Sequence, residues 1–138
     1  MGYYTGNGTI TGGKYQLDKS KSEQNDAHLN SFVKYIESQG IDLYSISVQN
    51  EPDYAAEWTY WSPEELTSFI ANYGKAVTAG TNAKLMSPES FQYRKDIYNA
   101  ILANPQASAN VDLYGTHFYG TPRDWMDFPA LENSGKEI

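Results

Sequence analysis

The chain has 138 residues, with 17 acidic and 10 basic side chains, a formal charge of −7 and no cysteine. That size makes one ordinary domain and is short of the roughly 250 residues of a closed (β/α)8 barrel. An apolar share of 40% with 14% aromatic residues excludes a disordered chain, a pI near 4.7 excludes a basic nucleic-acid-binding face, and the lack of cysteine excludes disulfides, thiol nucleophiles and thiolate metal sites.

No apolar run approaches the ~20 residues of a membrane helix, so neither nucleic acid nor membrane is expected as a partner. Met1 leads into a polar, glycine-rich stretch rather than a signal peptide. Twelve tyrosines and three tryptophans suit stacking on sugar rings, and equally suit cores and interfaces.

Residues 1–21 read as a loop region, with Gly2, Gly6, Gly8, Gly12 and Gly13 among small polar residues; a frayed end fits the same composition. A helix is predicted over about 22–39. Leu29, Phe32, Val33 and Ile36 recur at i, i+3, i+4 and i+7 on one face, and Gly40 stops it. A strand follows over Leu43–Val48, with Tyr44, Ile46 and Val48 on one side. It ends at Gln49-Asn50-Glu51-Pro52, since proline cannot donate to a ladder.

Residues 53–61 form an aromatic loop with Tyr54, Trp58, Tyr60 and Trp61. Ser62-Pro63-Glu64-Glu65 is a helix start with a capping box. Leu66, Phe69, Ile70, Tyr73 and Val77 continue its apolar stripe up to Gly80. A short strand is predicted at Ala83–Ser87, running into Pro88-Glu89-Ser90, and a third helix at about Tyr93–Ala103 with Ile97, Ala100 and Ile101 inward. Asn104-Pro105 ends that helix. A strand Val111–Phe118 finishes in Tyr119-Gly120-Thr121-Pro122, Arg123 to Gly135 reads as irregular, and Lys136-Glu137-Ile138 opens another strand.

Strands alternating with helices of this length imply parallel βαβ units, an α/β fold. Chemistry-bearing residues cluster after each strand: Asn50, Glu51 and Tyr54, then Glu89 and Phe91, then His117 and Tyr119. In parallel α/β folds ligands bind at the carboxyl ends of strands.

Glu51 is the sharpest candidate. A carboxyl at a strand end walled by aromatics can serve as a general acid, and a solvated turn glutamate beside proline is the alternative. His117 can hydrogen-bond a substrate or a catalytic carboxylate, or be a satisfied core histidine. Glu89 is either a second site carboxylate or a loop acceptor. Asp53, Glu57, Glu64 and Glu65 read as caps or solvent-facing groups, and His28 as solvent-facing. With no ligand spacing around His28 or His117, no metal and no cofactor are expected. Neither a phosphate loop nor a Gly-x-Ser-x-Gly elbow occurs.

Ser47-Val48-Gln49-Asn50-Glu51-Pro52-Asp53-Tyr54 resembles glycoside hydrolase family 30, in its bacterial endoxylanase and glucuronoxylanase branch. Ser87 to Tyr93 resembles the segment after that family's fifth barrel strand, His117-Phe118-Tyr119-Gly120-Thr121 the end of the sixth, and Asn7-Gly8 to Gly12-Gly13 the loop after the third. The resemblance spans nearly the whole chain, in order.

It implies part of a (β/α)8 TIM barrel, roughly strands four to six with their helices, as one partial catalytic domain over residues 1–138. It also implies retaining hydrolysis of internal β-1,4 bonds of xylan or glucuronoxylan. Glu51 then matches the general acid/base and Asn50 the residue holding the sugar 2-hydroxyl, with Tyr54, Trp58, His117 and Tyr119 as substrate-binding residues. The family's nucleophile glutamate follows a stretch like Gly135-Lys136-Glu137-Ile138, so it is expected just beyond Ile138 and the chain alone is expected to be inactive. Secretion follows from the polymeric substrate. Open sheet edges predict self-association. A relative acting on β-glucan or β-glucosides and a non-catalytic carbohydrate-binding module are the alternatives; three amphipathic helices argue against the module.

Overall fold

The computed structural model describes residues 16–54 and 59–138. The glycine-rich stretch before residue 16 and Trp58 lie outside the described residues.

Helix α1 spans Ser22–Ser38 behind a 3-10 turn at Lys19–Lys21, where the Asp18 side chain accepts from Ser20 N. Its predicted apolar face is only partly used. Val33 is buried, Leu29 and Ile36 are half-buried, and Phe32 is exposed. The side chain of Asn30 fastens α1 to its neighbour by donating to the carbonyls of Val77 (3.1 Å) and Ala79 (3.0 Å).

That neighbour, α2 (Pro63–Val77), begins as the sequence dictates. Ser62 accepts from Glu65 N while the Glu65 carboxylate accepts from Ser62 N, a cap that contributes about 1 kcal/mol. Leu66, Phe69, Ile70 and Val77 are buried. Each such side chain contributes roughly 1.5–3 kcal/mol by leaving water, which makes α2 the central helix of the core.

Strand β1 (Ser45–Ser47) pairs in parallel with β2 (Lys84–Met86), with Ile46 opposite Leu85. Further parallel bridges join Met86 to Leu113, Ser90 to Thr116 and Leu113 to Glu137. Four successive segments therefore lie side by side in chain order, as the βαβ reading predicts. Leu85 and Tyr114 are almost fully buried, and Val48 nearly so.

Three local expectations are corrected. The predicted strand Val111–Phe118 is not a continuous ladder. The Asp112 carboxylate takes the Leu85 N–H (2.9 Å), while Asp112 N and Leu113 N both turn to the Leu85 carbonyl (2.9 and 3.3 Å). The third helix, α3, starts later, at Asp96, and runs to Ala103. Phe91–Tyr93 is instead a 3-10 turn, with left-handed backbone (φ 54°) at both Gln92 and Tyr93.

Asn104-Pro105 ends α3 and also restarts a helix, α4 (Pro105–Asn110). Asn104 Oδ1 accepts from Gln106 N (3.1 Å) and Ala107 N (2.9 Å), and Pro105 fits the first turn. The segment after Tyr119, expected to be irregular, holds a 3-10 turn (Arg123–Trp125) and a short helix α5 (Pro129–Glu132) that bury Phe128 and Leu131. Glu137 forms the expected strand opening, its carbonyl accepting from Tyr114 N at 2.8 Å.

Candidate active site

The turn after β1 carries Glu51. Its φ is 43°, a left-handed conformation costly for a residue with a β-carbon and frequent where function requires it, at roughly 1–3 kcal/mol. The turn is held by Tyr54 N donating to Glu51 O (3.0 Å) and by Trp61 N donating to Pro52 O (2.9 Å). These bonds bury Pro52 and leave Glu51 only 5% exposed.

Glu89 occupies the equivalent place after β2 and is also left-handed (φ 56°). His117, whose backbone N–H donates to Ser90 O (3.2 Å), sits between the two carboxylates. Its Nδ1 lies 3.2 Å from Glu51 Oε1 and its Nε2 lies 3.2 Å from Glu89 Oε2. Three groups that are 66 residues apart in the chain at most are brought together by adjacent parallel segments, as the carboxyl-end argument predicts.

The imidazole stands between the carboxylates, so the three do not converge on one point. Among the described residues no cluster of three or more His, Cys, Asp or Glu side chains could hold a metal.

A row of rings flanks this trio. Tyr54 stacks on Phe91 (centroids 4.3 Å apart, planes 26°), Phe91 faces Tyr119 (6.4 Å, 26°), and Tyr119 lies beside His117 (5.6 Å, 32°). Tyr119 is 64% exposed and Tyr54 37%, so the row presents flat apolar faces edged by hydroxyls to solvent. Asn50 lies exposed next to Glu51.

Asp53 corrects the sequence reading of a capping or solvent-facing group. Its carboxylate accepts from Phe91 N (2.9 Å), and its carbonyl accepts from Arg94 Nη1 (3.1 Å). It thereby ties the turn after β1 to the turn after β2, and burial pushes its carboxyl above the usual range against that hydrogen bond. Gly115 is not singled out by the sequence, and Phe91 is named there beside Glu89 without a role. Phe91 is the central ring of the row, and its place directly after a predicted strand end was the available signal. Gly115 marks close backbone approach within a strand pattern; a Cβ there would lie 2.7 Å from Met86 Sδ and 3.0 Å from Glu89 Cγ.

Parallel segments joined by helices, with Glu51, Glu89 and His117 gathered at their carboxyl ends, place the chain among α/β proteins. No protein-family model matches it. It is similar to glucuronoxylanase XynC of Bacillus subtilis (strain 168), with 46% identity over 108 residues that cover 78% of this chain and 25% of that protein. Among solved structures it is similar to a GH30 endoxylanase from Clostridium papyrosolvens C71 (TM-score 0.82, 41% identity, 89% of this chain and 31% of that one). A second is the glycoside hydrolase family 30 subfamily 8 xylanase Xyn30A of Clostridium acetobutylicum (TM-score 0.85, 32% identity, 99% and 35%). The chain is a relative of the glycoside hydrolase family 30 xylanases, and it spans about a quarter to a third of their length.

Proposed function

We propose that this chain carries the general acid/base side of a retaining xylanase site, with Glu51 as the acid/base. It acts on internal β-1,4 bonds of xylan or glucuronoxylan, within a (β/α)8 barrel of which it supplies strands four to six and the opening of the seventh. The observation that carries the reading is the burial of Glu51 at a strand end with His117 Nδ1 at 3.2 Å.

In retaining hydrolysis one carboxylic acid protonates the glycosidic oxygen while a second carboxylate, about 5–5.5 Å away, attacks the anomeric carbon. Glu89 is engaged with the far nitrogen of the ring, and the family resemblance gives the nucleophile's part to a different glutamate. Asn50 holds the sugar 2-hydroxyl, Tyr54 and Tyr119 carry sugar rings on their faces, and His117 and Trp58 are the further substrate-binding residues that the family resemblance implies. A polymeric substrate places the enzyme outside the cell, as the sequence reading expects. Among the described residues β1 is paired on one side only, and such an edge favours association with a second copy.

The test is a chimaera in which the 108 matched residues of the Bacillus glucuronoxylanase are replaced by those of this chain. It should release oligosaccharides from glucuronoxylan, and Glu51→Gln should lower kcat by about 10²–10⁴, the ordinary worth of a general acid. A folded chimaera with no hydrolysis, one that prefers β-1,6-glucan, or one indifferent to Glu51→Gln overturns the reading.

A further inference from the structure

We propose that Glu89 is a positioning residue: through the His117 ring it fixes the imidazole against Glu51, and the three groups together hold two shared protons. The assignment goes beyond the acid/base reading and uses that reading only in calling Glu51 the acid.

The argument is a count of protons. Carboxylate oxygens are acceptors only, and a neutral imidazole has one N–H and one bare nitrogen. His117 Nε2 is hydrogen-bonded to Glu89 Oε2 and Nδ1 lies 3.2 Å from Glu51 Oε1, so a bare nitrogen on either side would face the negative charge of an ionised carboxylate. Two protons along Glu51–His117–Glu89, either both on the ring or one on the ring and one on a carboxyl, remove that repulsion. Removing either carboxylate removes the need for one of them.

The surroundings are built to hold this arrangement. Glu51 is 5% exposed. Both glutamates sit on left-handed backbone that aims them inward. Gly115 lets the Glu89 side chain pack against the neighbouring segment. The charged and titratable groups facing the ring are Glu51 from the turn after β1, Glu89 from the turn after β2, and Tyr119 from its own segment.

A fixed ring has a consequence for Glu51. A carboxyl whose Oε1 is bound to an oriented imidazole presents its other oxygen in one direction. Without Glu89 the ring loses its hydrogen bond at Nε2 and keeps Glu51 and the face of Tyr119 as neighbours, so the nitrogen it turns to Glu51 is no longer fixed from behind.

The test uses the 138-residue chain with ¹⁵N-labelled histidine and reads the ring nitrogens of His117, with His28 as internal control. In Glu89→Gln, a neutral ring satisfies both sides by donating from Nδ1 to Glu51 and accepting the glutamine N–H at Nε2. In Glu51→Gln the ring should take the opposite tautomer, donating from Nε2 to Glu89. Mirror-image tautomers in the two variants, with His28 unchanged, support the proposal. The same tautomer in both, or wild-type nitrogen shifts in either, overturns it.

Should a variant lose its folded amide spectrum, the wild-type chain still decides. One ring N–H together with two ionised carboxylates, read from carboxyl ¹³C shifts, overturns the proposal; two protons on the trio support it. None of these readouts depends on hydrolysis. Mirror tautomers here combined with a chimaera indifferent to Glu51→Gln would keep the positioning role and discard the acid/base role, and the converse result would do the reverse.

Discussion

Gly115 lies so close to Glu89 that a β-carbon there would stand 3.0 Å from the glutamate Cγ. The same atom would meet Met86 Sδ at 2.7 Å, so at least one of the two side chains must shift. Gly115→Ala is expected to destabilise the chain by about 1–3 kcal/mol, the usual cost of overpacking. It should also move the His117 ring resonances although no charge has been removed. Chemical denaturation and the imidazole spectrum check both outcomes, and a variant with wild-type stability and ring shifts would show that the strand yields at no cost.

Asp53 gives a pH dependence of known sign. Burial raises its carboxyl above the usual value of 3.8, opposed first by the hydrogen bond from Phe91 N. A folded-state value above the unfolded one contributes stability that is fully present below the unfolded value and is lost as pH rises through the folded value. Asparagine keeps an acceptor for Phe91 N and has no charge to bury. The stability of Asp53→Asn relative to wild type should therefore increase as pH rises through the acid range and then level off. Urea midpoints measured across that range test it, and a pH-independent difference would remove the burial argument.

What the sequence made legible follows from how local each signal is. The capping box at Ser62 and Glu65, the apolar stripe of α2 and the alternation from α1 through β1, α2 and β2 to α3 depend on neighbours within a few positions, and the sequence shows them. The clustering of Glu51, Glu89 and His117 was legible only because parallel strands place their carboxyl ends together, a rule of topology rather than of sequence.

The misses depend on distant partners. Asp112 breaks the predicted strand at Val111–Phe118 because its carboxylate captures the Leu85 N–H, 27 residues away. Asp53 bonds Phe91 N across 38 residues. Asn104-Pro105 carried both a stop and a start signal, and local pattern alone could not show that a second helix, α4, followed.

Among the described residues, β1 pairs on one side only. Helix α1 exposes Phe32 and Tyr35, and the segment leading into β1 exposes Ile41 and Tyr44; an open strand edge of this kind recruits another chain. Sedimentation velocity is expected to show a weight-average coefficient that rises with concentration. Phe32→Glu with Tyr35→Glu should suppress that rise while changing stability little, within about 0.5 kcal/mol per exposed site. A monomer at every concentration would contradict the open-edge argument.

The ring row should carry sugar affinity separately from chemistry. Tyr119 is the most exposed member and stands between Phe91 and His117, so truncating it removes a stacking face without uncovering the core. An aromatic contact contributes about 0.5–1.5 kcal/mol beyond area burial, which converts to a loss of about 2- to 12-fold in affinity. Titrating xylo-oligosaccharides into the chain by NMR or calorimetry should show that loss for Tyr119→Ala. Tyr119→Phe should stay near wild type if the ring face rather than the hydroxyl supports the sugar. Tyr54→Ala should lose by a similar factor and also loosen Phe91, its stacking partner at 4.3 Å. If Tyr119→Phe falls as far as Tyr119→Ala, the hydroxyl is the recognising group and the row binds sugar by hydrogen bonding at its edge.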